Sequence, residues 1–230
     1  MSSFRPPLAA HRAASPNAVR AHRGVQVEES SSGRYAAVVL AGGAARRMGG
    51  VDKPALPVAG RSMRDRVLAA VADAAPRILV GPADPAPPDV RVTREQPPGG
   101  GPVAAAAAGL ALLDSDATTV ALLAADLPLL TREAVAVLLG ALAPAGADGA
   151  CYVDAEGRRQ TLCGVWRVPA LRGALARLAN GRGGGLAGTP VRALLDGMTV
   201  REVAWAGAGP PPWFDCDTDQ DVRRAEEWAR

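Results

Sequence analysis

From Tyr35 onward, short apolar runs alternate with longer segments that carry apolar residues every three or four positions. Ala36–Ala41 is fully apolar and predicts a buried first strand. The spacing over Met63–Ala74 predicts a helix, and Arg77–Val80 a second strand. Val90–Thr93 predicts a short third strand. Pro102 opens an Ala-rich helix to Leu113, at a position where a helix tolerates proline. Thr118–Ala124 reads as another buried strand, and Thr131 caps a helix to about Leu142 with Glu133 in its first turn. Gly149–Val153 and Thr161–Arg167 look like a pair of strands. Helices follow near Pro169–Leu178 and Pro190–Leu195, then a strand at Thr199–Val203 and a closing helix over Asp219–Ala229. Apolar strands alternating with amphipathic helices predict a Rossmann-like, doubly wound α/β domain with a mostly parallel sheet covered on both faces. Such sheets bind ligands beyond the carboxyl ends of their strands, so the residues just after each strand carry the candidate chemistry.

Residues 1–34 break this pattern. They are rich in Arg, Ser, Pro and Ala without apolar periodicity, and predict a disordered tail ahead of a single domain over 35–230. The tail has no apolar stretch of the secretory type. Hydrophobic residues make up 48% of the chain but aromatics only 3%, so Ala, Val and Leu must build the core. No apolar run reaches the ~18 residues a membrane helix needs. The net charge of +3 is spread out, apart from the tail and the pairs Arg46-Arg47 and Arg158-Arg159, which argues against nucleic acid as a partner. Cys151, Cys163 and Cys216 lack C-x-x-C spacing, which argues against a disulfide framework or zinc site and fits a reducing cytoplasm.

The chain leaves the first strand through Leu40-Ala41-Gly42-Gly43-Ala44-Ala45-Arg46-Arg47-Met48-Gly49-Gly50-Val51-Asp52-Lys53. Gly42 and Gly43 allow close backbone approach to a ligand, and exposed N–H groups in such a loop bind anions. Arg47 and Lys53 add charged donors suited to phosphate, and Lys53 is expected at the surface. Neither a Walker P-loop nor a G-x-G-x-x-G fingerprint is present here. This segment resembles the signature of the molybdenum cofactor guanylyltransferase family, within the nucleotide-sugar type of nucleotidyltransferases. The resemblance implies that Leu40, Ala41, Gly42 and Gly43 hold a nucleotide, with Arg47 and Lys53 on its phosphates.

Two further loops extend the resemblance. Glu95-Gln96-Pro97-Pro98-Gly99-Gly100-Gly101-Pro102 precedes the Ala-rich helix, whose N-terminus adds a positive end. The family has a similar element that helps hold base and ribose, which implies that role for Gly100 and for Glu95 as the upstream acid. Asp126 follows an apolar strand with no basic neighbour in sequence, so its charge needs a cationic partner. A divalent ion on a triphosphate would supply one, and the family's A-x-D-x-P context implies that Asp126 holds Mg²⁺. Asp215 and Asp217 alternate in an extended segment and so share a face. Related transferases place a second metal contact there; the alternative reading makes Thr218 a helix N-cap with Asp217 as its turn partner.

Two features depart from the family pattern. Asp215-x-Asp217 stands where the guanylyltransferases carry Asn-x-Asn, and is more like the cytidylyltransferases. No Asn follows the second strand, which continues Gly81-Pro82-Ala83-Asp84. Gly181–Gly185 reads equally as an acceptor loop or a flexible link. The resemblance implies a cytoplasmic enzyme that transfers GMP from GTP to molybdopterin with Mg²⁺ and releases pyrophosphate, in transient contact with other molybdenum cofactor proteins or acceptor enzymes. A relative using CTP or another phosphorylated acceptor, and a non-catalytic nucleotide-binding protein, are the alternatives.

Overall fold

The computed structural model describes residues 34–42, 53–83 and 87–230. Gly43, Arg47 and all of the expected tail except Arg34 fall outside them. Strand β1 spans Ala36–Leu40, and the described chain resumes in a 3₁₀ turn at Lys53–Ala55. A two-residue pair follows, β2 (Pro57–Val58) and β3 (Arg61–Ser62), then α1 (Met63–Ala70), β4 (Arg77–Val80) and β5 (Val90–Thr93). Next come α2 (Pro102–Leu110), β6 (Thr119–Ala124), α3 (Arg132–Leu142), β7 (Gly149–Val153) and β8 (Arg159–Arg167). The chain closes with α4 (Val168–Gly181), α5 (Val191–Leu194), β9 (Val200–Ala204) and α6 (Asp219–Trp228). No helix among the described residues is long and apolar enough to cross a membrane.

Seven strands form one sheet in the order β5-β4-β1-β6-β8-β7-β9. Pairings are parallel except those of β8, which runs against both β6 and β7. The expected doubly wound, mostly parallel sheet is therefore present. Alternation along each strand feeds two cores. Ala37, Val39, Leu79, Ala121 and Leu123 pack on one face with Val67, Leu68, Val135 and Leu138 of α1 and α3. Ala36, Val38, Ile78, Val80, Val120 and Leu122 pack on the other with α2 and α4, through residues such as Val103, Leu110 and Leu171. Strand β1 is central and all five of its residues are buried, which is why its sequence is apolar without alternation.

Two local expectations shift. The first helix stops at Ala70 and gives way to turns, in which the Ala72 amide donates to Ala69 O and the Ala74 amide to Val71 O. The β2–β3 hairpin was not foreseen. Its turn places Ala59 and Gly60 at φ 48° and 76°, the double positive φ of a type I′ turn, but Ala-Gly lacks the usual Asn-Gly signal.

The few aromatics are placed where the sheet makes room for them. Trp166 of β8 is fully buried and lies across Gly149 and Gly164. A Cβ on Gly149 would stand 2.0 Å from Trp166 Cε3, far inside contact distance. Gly149→Ala is expected to destabilise by ~1–3 kcal/mol, the usual cost of overpacking. In a thermal melt that is a fall of roughly 2–4 °C per kcal/mol for a domain of this size. An unchanged melting temperature would show that the indole can shift freely.

Candidate active site

The winding order creates a crevice. From β1 the chain adds β4 and β5 on one side, then crosses through α2 to β6 on the other. The carboxyl ends of β1 and β6 therefore flank the point where strand order reverses, the place where open α/β sheets bind ligands. The Ala125 amide donates to Leu40 O at 3.0 Å and the Ala41 amide to Val80 O at 2.7 Å, fixing the exit of the glycine loop. Leu40 and Ala41 are buried and Gly42 is half-buried.

Glu95 reaches this exit from beyond β5. It is buried, and its Oε1 accepts the Gly99 amide at 3.1 Å. Its Oε2 would lie 3.0 Å from a Cβ on Gly42, so a side chain there would crowd the carboxylate. The Gly99-Gly100-Gly101 segment turns into α2, with Gly101 at φ 90° as its N-cap. The Gly100 carbonyl accepts the Gly188 amide at 2.8 Å, which draws a later loop to the same rim. The Gly181–Gly185 run caps α4, since the Gly184 amide donates back to Ala179 O at 2.7 Å.

On the other side of β1, Lys53 is buried at the start of the 3₁₀ turn, with its side chain only 8% exposed. Its Nζ donates to Asp126 Oδ2 at 2.8 Å and to Asp217 Oδ1 at 2.7 Å. Asp126 follows β6 by two residues, and its carbonyl accepts the Cys216 amide at 3.3 Å, which holds the 215–217 segment beside the strand end. Burial works against the Lys53 charge, but the bonds and charges of Asp126 and Asp217 outweigh it and raise its pKa. Partial burial, together with the charges of Asp217 and Asp126, lifts the Asp215 carboxyl above its ordinary value despite Lys53. The cap of α6 is made by Thr218 and Asp221 in a reciprocal capping box, so Asp217 is not the cap's partner and reaches Lys53 instead.

Two expectations are corrected here. Lys53 is not at the surface, and Asp126 has a protein cation. That cation lies 73 residues away in sequence and reaches Asp126 only because β1 and β6 are neighbours. One sequence signal could have marked Lys53, because it is the single lysine among 26 Lys and Arg residues.

Residues 37–198 match the MobA-like NTP transferase domain. The chain belongs to that family. Two curated relatives are named molybdenum cofactor guanylyltransferase. That of Bradyrhizobium sp. (strain ORS 278) is 32% identical over 203 residues, spanning 84% of this chain and 92% of the relative. That of Acidiphilium cryptum (strain JF-5) is 34% identical over 210 residues, spanning 86% and 97%. Among solved structures, 2-C-methyl-D-erythritol 4-phosphate cytidylyltransferase from Thermus thermophilus shares the fold at TM-score 0.63 and 22% identity, covering 85% of this chain and 98% of that one. Molybdopterin-guanine dinucleotide biosynthesis protein A from Archaeoglobus fulgidus does so at TM-score 0.60 and 19% identity, covering 83% and 96%.

This MobA-like NTP transferase is a nucleotidyltransferase, and its crevice has the chemistry such a reaction needs. A lysine suits phosphate, and carboxylates at the strand end beside it suit a cation. Asp126 and Asp217 already converge on one positive centre, so the donor set fits a divalent ion. Among the described residues no three of His, Cys, Asp and Glu are grouped to hold a metal by themselves. That suits an ion which takes one or two carboxylates and completes its shell with phosphate oxygens and water.

Proposed function

We propose that this enzyme transfers GMP from GTP to the terminal phosphate of molybdopterin, with Mg²⁺ and with release of pyrophosphate. The observation that carries the reading is Lys53 held between Asp126 and Asp217 at the point where the strand order reverses. The names of the two curated relatives support guanylyl transfer and the molybdenum cofactor. In this reading Leu40, Ala41, Gly42 and Gly43 present backbone to the nucleotide. Glu95 and Gly100 shape the wall for base and ribose, and Arg47 and Lys53 meet the phosphates. Asp126 and Asp217, with Asp215 beside them, would hold Mg²⁺, which offsets charge on the phosphates when bound. An acceptor phosphate oxygen forms the new bond to the α-phosphorus as the α–β phosphoanhydride breaks. The phosphate nucleophile is already ionised near neutral pH, so the chain's task is to position reactants and stabilise charge.

A second reading keeps the reaction and changes the substrates, to CTP or another phosphorylated acceptor. It is favoured by the Asp-x-Asp at 215–217 and by a cytidylyltransferase among the structures of the same fold. Calorimetric titration of the protein with each nucleoside triphosphate and Mg²⁺ separates the two. GTP is expected to bind tightest, since buried hydrogen bonds to a base discriminate by up to ~10⁴-fold. Tighter binding of CTP would replace the guanylyl reading with the second one.

A further inference from the structure

Lys53 is unusual in three independent respects. The chain places arginine at every other cationic side-chain position, leaving Lys53 as its single lysine among 26 Lys and Arg residues. Its side chain is 8% exposed, although lysine is rarely buried unless paired. Its ammonium lies at nearly equal distances, 2.8 and 2.7 Å, from carboxylate oxygens contributed by segments 73 and 164 residues away. A guanidinium is a planar fork that matches one carboxylate edge-on, whereas an ammonium is a compact point charge on a flexible stem. A compact point charge suits a centre where two carboxylate oxygens converge on one position, as a small divalent cation also does.

We infer that the Lys53 ammonium occupies the Asp126–Asp217 seat in the nucleotide-free protein and yields it to a divalent cation only when nucleotide phosphates arrive to receive the lysine. The inference rests on the nucleotide-binding reading given above. One seat cannot hold two cations, because an ion at the ~2.1 Å bond length of Mg²⁺ needs the oxygens that Lys53 now uses. A metal arriving alone would have to push a buried ammonium away from its only described anionic partners, which is costly. A metal arriving with a triphosphate brings the replacement anion with it. Metal and nucleotide then bind with positive coupling, each raising the affinity for the other by the same factor. The pair of carboxylates keeps a counter-charge and its place before substrate arrives, and free divalent ions are kept out.

Binding of Mn²⁺ alone tests the seat, followed by the electron paramagnetic resonance signal of the free ion and requiring no turnover. Lys53→Met keeps length and removes charge, and is expected to bind Mn²⁺ without nucleotide at least ~10-fold more tightly than the wild type, within the usual range of coupling between sites. Equal affinities would overturn the inference. The wild-type chain supplies a second measurement that does not depend on a variant folding. Labelling lysine with ¹³C at Cε gives one lysine signal for the whole protein. That signal is expected to stay in place on addition of Mg²⁺ alone and to move when Mg²⁺ and GTP, or Mg²⁺ and CTP, are added together. Movement with Mg²⁺ alone, or none with nucleotide and Mg²⁺ bound, would contradict the hand-over. Failure of every nucleoside triphosphate to bind in calorimetry would instead overturn the proposed function and the hand-over with it, while the Mn²⁺ comparison would still decide whether Lys53 fills the seat.

Discussion

Lys53→Ala is expected to lower kcat/KM by ~10²-fold or more, about 3 kcal/mol of lost transition-state stabilisation. The magnitude follows from position. Lys53 is buried, so its charge acts with little screening, and its bond to Asp126 sets it at the carboxyl end of β6. The same change acts on stability, because it leaves Asp126, Asp215 and Asp217 together without their cation. Removing one partner of a part-buried charged pair costs ~1–3 kcal/mol. This deficit depends on pH in a defined direction. A carboxyl whose folded pKa is raised above its unfolded value, as for Asp215, favours the fold below the unfolded pKa and loses that contribution as pH rises through the folded one. The variant's loss of melting temperature relative to the wild type is therefore expected to be smaller at pH 5 than at pH 8. Pyrophosphate release and melts at the two pH values measure both effects. Turnover within a few-fold of wild type would remove Lys53 from the phosphate site.

Asp126→Asn is expected to reduce turnover by ~10²–10³-fold, the scale seen when a preorganised electrostatic contact is lost. It keeps the shape of the side chain and removes its charge. Replacing Mg²⁺ by Mn²⁺ is expected to restore part of the rate, since the proposed site retains Asp217 and the phosphate oxygens. Stability is expected to stay within ~1 kcal/mol of the wild type. The lost ion pair to Lys53 is offset twice: Lys53 keeps Asp217, and Asp215 is relieved of one neighbouring negative charge. A different outcome has a clear meaning. If the variant is several kcal/mol less stable while its folded fraction turns over normally, Asp126 is an anchor for Lys53 and the metal lies elsewhere.

Much of this architecture was legible in the chain itself. The apolar runs read at Ala36–Ala41 and Thr118–Ala124, the helical spacing after Met63 and Thr131, and the caps at Thr131 and Thr218 are local consequences of side-chain transfer and backbone hydrogen bonding. The glycine loop after β1 and the lone Asp126 after β6 could be named from sequence, because loops at strand ends carry ligand chemistry in this kind of sheet. What the sequence could not decide was which strand lies beside which. The strand pair Gly149–Val153 and Thr161–Arg167 was visible, but not that the second strand begins at Arg159, inserts between β6 and β7 and runs against both. Nor was it visible that Lys53 is buried. Periodicity records which face of an element is apolar, a property of neighbouring residues. Burying a charge is favourable only once an opposite charge stands beside it, and Asp126 and Asp217 come to Lys53 through the order of the strands and the docking of the last loop, not through any spacing in the chain.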